Sequence, residues 1–292
     1  MNRELHRPGR PYANVASTAF SVVCTVCAFS GVAVLVLLLW QMFRYSWGWL
    51  DWQFLTSFDS QLSAEQAGVK AALVGSLYLI ILTTFFSVPI GVGAAIYLEE
   101  YATRSRWRTV VQTNIANLAG VPSIVYGILG LGLFVRGMNM GAGVLAGALT
   151  LTLVVLPIVI LASQEALRAV PSTIRQASYA LGATRWQTVW YQLLPAALPG
   201  IMTGVILALS RALGEAAPLV AIGAAGFVMF VPKGIDDHFT ALPLQIYNWT
   251  ENAKQEFHHV AAAGIIVLLA VLICLNAVAV YLRQRFGKQV RW

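Results

Sequence analysis

The sequence predicts an all-α integral membrane protein with six transmembrane helices and both termini in the cytoplasm. Three observations carry this reading. Of 292 residues, 58% are hydrophobic and 11% charged, where soluble domains carry about 25% charged residues. The apolar residues gather into six nearly charge-free runs, each long enough to cross the hydrocarbon core as a helix of about 20 residues. Lysine and arginine are distributed unequally between the two ends of those runs, which fixes orientation.

Taken in order, the first run is 11–43 and the second 71–98. The third lies within 109–135, where the polar stretch 109–117 is expected to lie at the cytoplasmic surface rather than in the span. The fourth occupies 137–164, the fifth 196–223 and the sixth 260–282. Only Arg211 and Glu215 interrupt the fifth. Residues 1–16 and 286–292 read as cytoplasmic tails around a single membrane domain, 17–285, with a cytoplasmic loop at 164–195. The run after Arg10 is too long for a cleavable signal and has no small-residue cleavage site before its end.

Orientation follows from counting. Arg3, Arg7, Arg10, Arg104, Arg106, Arg108, Arg168, Arg175, Arg185, Arg283, Arg285, Lys288 and Arg291 share one side, thirteen in all. Arg44, Lys70, Arg136, Lys233 and Lys254 make five on the other. The positive side faces the cytoplasm. Tyr45, Trp47, Trp49 and Trp52 form an aromatic belt at the outer interface. The net charge of +7 is thereby explained by membrane topology and calls for no nucleic-acid partner.

Several chemistries have little support. Cys24 and Cys27 form a CxxC pair inside an apolar run and read, with Cys274, as small packing residues. Asp236, Asp237, His238, His258 and His259 in the outer segment follow no metal-ligand spacing. No GxxxxGK[ST] phosphate loop occurs, so the chain is not an ATPase. Gly91, Gly93, Gly120, Gly127, Gly130 and Gly132 are expected where membrane helices approach closely.

The cytoplasmic loop reads as helix, turn, helix. Pro171 and Ser172 suit a helix start. Ile174, Ala177, Tyr179 (or Ser178) and Leu181 recur at helical spacing, with Arg175 and Gln176 facing elsewhere. Gly182 suits a left-handed helix end. Thr184 and Gln187 form a capping box opening the second helix, which leads to Leu194-Pro195. Such an element either lies on lipid head groups or docks into a cytoplasmic partner.

Arg211 and Glu215 are four apart and share one helix face. A charge at mid-membrane costs roughly 2.5–3.5 kcal/mol on insertion scales, which points to a compensating role. The pair either neutralises itself and pins helix packing, or Arg211 offers a planar fork of donors to an oxyanion while Glu215 orients it. Ser210 and Thr203 can add hydroxyls.

Gln176-Ala177-Ser178, Gly182 and Leu194-Pro195 resemble the EAA loop of permeases from binding-protein-dependent ABC importers, with Gln176 in place of the family's glutamate. Residues 96–102 (IYLEEYA), 120–127 (GVPSIVYG), 211–218 (RALGEAAP) and 242–249 (LPLQIYNW) resemble the PstA-type permeases of phosphate-specific transport, over roughly 70–285. The resemblance implies a type I ABC importer permease in the bacterial inner membrane, carrying phosphate. It implies docking of an ATPase through Ile174, Gln176, Ala177, Ser178, Leu181 and Gly182, while the cost of intramembrane charge places Arg211 and Glu215, with Ser210 and Thr203 beside them, on the substrate path. The implied partners are a related second permease (PstC-type), two cytoplasmic ATPase subunits (PstB-type) that bind ATP and Mg, an extracytoplasmic phosphate-binding protein (PstS-type) and membrane lipid. No cofactor is implied for this chain. One arginine does not separate phosphate from sulfate, and an autonomous anion channel or carrier remains the alternative that needs no ATP.

Overall fold

The computed structural model describes residues 11–103, 105–224 and 226–287. The outer parts of both expected tails, 1–10 and 288–292, lie outside these residues. Every regular element described is a helix, apart from an isolated antiparallel bridge between Gly143 and His238.

Five helical stretches are long and apolar enough to cross a membrane: Ser17–Ser46, Lys70–Tyr101, Val144–Arg168, Arg185–Leu213 and Glu256–Arg285. They correspond to α1 (Pro11–Ser46), α3 (Lys70–Ile96), α6 (Val144–Arg168), α9 (Leu194–Leu213) with its lead-in, and α12 (Glu256–Gly287). A short helix α2 (Trp52–Thr56) lies in the first outer segment. The third expected span is a bent pair, α4 (Arg106–Ala119) and α5 (Ser123–Gly130) with its π-helical continuation to Gly137, and the two halves meet at 102°. The polar stretch 109–117 thus departs from the line of the span.

The chemistry of that bend is local. Gly120 caps α4, and Pro122 has no N–H to continue a helix and keeps Val121 out of the helical region. Tyr126, buried in α5, donates its hydroxyl to the Leu118 carbonyl at 2.8 Å, beside the Val121 amide that this carbonyl accepts at 3.1 Å, and so ties α5 back to the end of α4. The fifth span also differs from the expected continuous 196–223. It begins earlier, with α8 (Arg185–Thr188) running through a π-helical turn, Val189–Leu193, into α9, and it stops at Gly214. A separate short helix, α10 (Ala217–Ala221), follows, with Pro218 in its first turn where a missing N–H costs nothing.

α3 and α6 run side by side in the same direction. A Cβ at Gly91 would stand 2.6 Å from Val159 Cγ1, so only glycine allows this approach. One end of the pair is tied by the Thr83 hydroxyl donating to the Ala148 carbonyl, the other by Gln164 donating to Glu99. Gly127 likewise seats α5 on α10, where a Cβ would lie 2.7 Å from Pro218 Cα. Gly130 faces Thr150, whereas a Cβ at Gly93 or Gly132 would meet nothing within 4 Å among the described residues of this chain. The cysteines differ too: Cys24, Cys27 and Cys274 are exposed on the surface of the single chain.

The two ends of the bundle are separately fastened. At one end the Val144 amide donates to the Asp237 carbonyl, and buried Asp59 receives Gln245 Nε2 at 2.6 Å and Trp249 Nε1 at 2.9 Å, from α11 (Leu242–Thr250). Burial pushes the Asp59 carboxyl above the ordinary carboxylate value, against the pull of these two hydrogen bonds. At the other end α7 (Ser172–Ala180) lies between α6 and α8.

Candidate functional site

Two features stand out, one at each end of the stretch that joins α6 to α10. The first is the loop element α7 and the turn after it. Gly182 has φ +82°, the left-handed conformation read from the sequence, and nothing lies within 4 Å of the Cβ it lacks. Thr184 and Gln187 form both halves of the capping box. The surrounding helix, however, divides the residues grouped by sequence periodicity. Ile174 packs inward against the Ala95, Leu167, Val189 and Leu193 cluster. Ser178 is buried, and its hydroxyl shares a 2.8 Å hydrogen bond with Thr188 Oγ1. Gln176, Ala177, Leu181 and Gly182 are exposed, Leu181 at 89%. Residues 174 and 178 therefore hold the helix to the bundle, while 176, 177, 181 and 182 present a free face.

What holds α7 in place was missed by sequence reasoning, which set Arg175 off the apolar stripe and gave it no partner. Arg175 turns inward. Its Nε and Nη2 both donate to Glu100 Oε1, at 3.1 and 2.8 Å, and its Nη2 and Nη1 reach the carbonyls of Leu167 and Val170 at 2.9 and 3.0 Å. Neighbouring Glu99 accepts from Arg168 Nη2 at 2.6 Å, Gln164 Nε2 at 3.0 Å and Arg108 Nη2 at 3.3 Å. Both carboxylates are under 10% exposed. They lie in the π-helical turn Tyr97–Tyr101 that ends α3. A signal was present: two adjacent acids on a positive-inside surface, close in sequence to the end of a span, against three arginines with no other carboxylate nearby except Glu165.

The second feature is the break between α9 and α10. Arg211 stands in the last turn of α9 and donates its Nε to Glu215 Oε1 at 3.3 Å. The expected face-sharing pair is present, but it is not a buried one. Arg211 is 49% exposed and Glu215 18% in the single chain. Leu207, one turn before Arg211, is exposed as well. Among the described residues no partner engages either Nη of Arg211. Ser210 and Thr203 are not brought to this pair. The Ser210 hydroxyl donates to Asn276 Oδ1 at 2.6 Å, and the Thr203 hydroxyl accepts from Arg283 Nη1 at 3.0 Å, so both face α12. Their hydroxyls serve packing between α9 and α12 and are not aimed where Arg211 points.

Chemically, Arg211 presents two unengaged NH2 groups of a planar cation beside a helix break, with one carboxylate on its Nε. That arrangement suits reversible contact with an oxyanion better than permanent capture, because Glu215 offsets part of the positive charge.

This geometry has relatives. Residues 87–288 match the family described as the binding-protein-dependent transport system inner membrane component. The chain is 31% identical over 281 residues to the phosphate transport system permease protein PstA 1 of Mycobacterium tuberculosis, covering 94% of this chain and 90% of that one. It is 37% identical over 195 residues to the probable ABC transporter permease protein YqgI of Bacillus subtilis, covering 67% and 66% of the two chains. Over 212 residues it is 33% identical to the PstA protein of Haemophilus influenzae, covering 73% and 74%. Among solved structures, a chain of a bacterial alginate ABC transporter superposes with a TM-score of 0.68 at 15% identity, covering 96% of this chain and 99% of that one. A chain of the inward-facing MetNI methionine ABC transporter gives 0.57 at 19%, covering 73% and 93%. At those identities the superpositions establish the fold, a type I ABC importer permease. Bent α4–α5, broken α9–α10 and the loop helix α7 stand within a family match that spans most of the membrane domain, so this multi-pass chain belongs to the binding-protein-dependent transport system inner membrane component family of ABC permeases.

Proposed function

We propose that the chain is one of two permease subunits of an ATP-driven phosphate importer, forming half of the translocation path. The observation that carries the reading is the half-exposed Arg211 at a helix break, with both Nη groups unengaged and Glu215 on its Nε. The PstA relatives support phosphate as the cargo. Because the sequence holds no phosphate loop for ATP, hydrolysis belongs to separate cytoplasmic ATPase subunits (PstB-type). The exposed face of α7, Gln176, Ala177 and Leu181 with Gly182 at its end, is the docking surface for one of them. Ile174 and Ser178 support that surface from behind. A second, related permease (PstC-type) completes the path, and a phosphate-binding protein (PstS-type) delivers cargo at the outer loops.

In this mechanism ATP-driven closure of the ATPase pair displaces α7, and the displacement rocks the spans between inward-open and outward-open states. Phosphate released into the path meets Arg211 as a two-donor contact and leaves because Glu215 weakens the hold. The test is ATP-dependent uptake of labelled phosphate by the chain reconstituted with its partner subunits, with sulfate as competitor. Uptake that requires ATP and ignores sulfate is the expected result. Uptake without ATP overturns the importer reading in favour of a channel, and competition by sulfate overturns the substrate.

A further inference from the structure

We propose that Glu100 is a positioning residue of the transport cycle: it locks the coupling helix α7 to the end of α3, so that a push on α7 reaches the membrane helices as motion of one body. The inference rests on the permease reading above and goes beyond it by naming the link that transmits the motion.

The case begins with how little else holds α7. It is nine residues long, below the length at which a helix is stable alone. Its outward face makes no use of Gln176, Ala177 or Leu181 within the chain. Inward, it is attached by Ile174, by the Ser178–Thr188 hydrogen bond and by Arg175. The Ser178 link runs only to α8, the next turn of the same loop. Ile174 supplies non-directional apolar contact, which permits tilting. Arg175 alone fixes α7 to a different part of the bundle with directed bonds.

Arg175 does so as a three-way pin. Leu167 is in the last turn of α6 and Val170 lies two residues past its end; Arg175 donates to both carbonyls, adding a side-chain donor at Leu167 to the Val170 amide at 3.4 Å. Glu100 takes the remaining donors at 2.8 and 3.1 Å. With Glu100 8% exposed and Arg175 21%, the pair is shielded from salt more than a surface pair. The neighbour completes the node. Glu99 ties the same π-helical turn to α6 through Gln164 and Arg168 and to α4 through Arg108. Two adjacent carboxylates at the end of α3 thus collect α4, α6 and α7. Removing the Glu100 charge leaves Arg175 on the Leu167 and Val170 carbonyls and Glu99 on α6, but it weakens the direct tie between α7 and α3, so that a push on α7 reaches α3 only by way of α6.

The experiment uses the complete complex with Glu100→Gln, Glu100→Asp and Arg175→Lys, and measures phosphate moved per ATP hydrolysed, ATPase retained on the complex, and hydrogen exchange in α7. Glu100→Gln is expected to keep its ATPase and hydrolysis, to move at least about fivefold less phosphate per ATP than the wild type, the lower bound of ordinary coupling energies, and to exchange faster in α7. Glu100→Asp, which keeps the charge, should restore most of the ratio, whereas Arg175→Lys, which loses the fork, should not. An unchanged ratio in Glu100→Gln overturns the proposal. Loss of the ATPase from that complex also overturns it, by making Glu100 part of docking. Should the wild-type complex move no phosphate, the substrate reading fails, and α7 exchange still decides this one: equal protection in wild type and Glu100→Gln refutes the lock.

Discussion

Replacing Gly182 by a graded set of residues separates backbone geometry from surface contact at the turn after α7, the docking surface proposed above. Gly182 holds φ +82°, and a Cβ built on it meets nothing within 4 Å. The cost of a side chain within the chain is therefore conformational alone. Holding an ordinary L-residue in the left-handed region costs roughly 1–2 kcal/mol. Asparagine tolerates it better because its short polar side chain bonds locally, and a β-branched residue tolerates it worst. At 1.4 kcal/mol per factor of ten, Gly182→Ala should weaken the native turn by about 5–30-fold. The Ala183 amide, which donates to the Ser178 carbonyl across this turn at 3.2 Å, is the reporter. Its hydrogen exchange should quicken in the order Gly, Asn, Ala, Val, and retention of the ATPase during purification should fall in the same order. If instead Gly182 matters because a docked subunit sits against it, size governs and alanine is milder than asparagine. That reversed order, or wild-type exchange in Gly182→Ala, refutes the backbone argument.

Other perturbations test the remaining features. Arg211→Lys keeps the charge and loses the fork, so phosphate uptake should fall with assembly intact; uptake at the wild-type rate would remove Arg211 from the path. Tyr126→Phe removes the hydroxyl bond to the Leu118 carbonyl at the α4–α5 bend, leaving that carbonyl the Val121 amide at 3.1 Å, and should lower stability by about 0.5–1.5 kcal/mol in thermal unfolding, a change absent if water replaces the hydroxyl. Asp59→Ala strands the buried donors of Gln245 and Trp249, at about 1–3 kcal/mol each, while Asp59→Asn should be nearly silent because the Gln245 amide can turn over. The raised Asp59 carboxyl binds its proton more tightly folded than unfolded. Stability should therefore fall as pH rises from about 3.8 through the folded value, and Asp59→Asn should abolish that dependence in Trp249 fluorescence.

Local rules were readable from the chain, and long-range pairings were not. The left-handed Gly182 and the Thr184–Gln187 box depend on a few neighbouring residues, and both are present as expected. The spans were legible because apolar length alone defines them. The break after Leu213 was not taken from the sequence, since apolar residues continue on both sides of it and the only interruptions, Arg211 and Glu215, read as a pair on one helix face. Gly214 and Pro218, four apart, were the available signal. Arg175 was set off the apolar stripe of α7 with no partner, because hydropathy periodicity says where a charge is not but not what it meets. Its inward position is decided by Glu100, 75 residues earlier, and no window of local sequence contains both. The same holds for Thr203 and Ser210, whose hydroxyls look available until Arg283 and Asn276 of α12 are set beside them.

The exposure of Arg211 constrains what must surround it. A guanidinium left against hydrocarbon costs up to about 2.5–3.5 kcal/mol on insertion scales, and its single hydrogen bond to Glu215 leaves the Nη groups without acceptors. Water or anion in a path removes that cost at once, and so does an acceptor from a second permease. Leu207, on the same face one turn away, is 65% exposed, and an apolar residue beside the arginine favours a helix surface over open water. Both conditions are met where two permeases face each other around a narrow path. Apolar residues such as Leu207 then close the seam while Arg211 looks into the opening. On this reasoning Leu207→Cys should form a crosslink to the second permease, and Arg211→Cys should react with a small charged thiol reagent added from the water side. Labelling of Leu207→Cys alone, with Arg211→Cys protected, would place the arginine in the seam and return its role to helix packing.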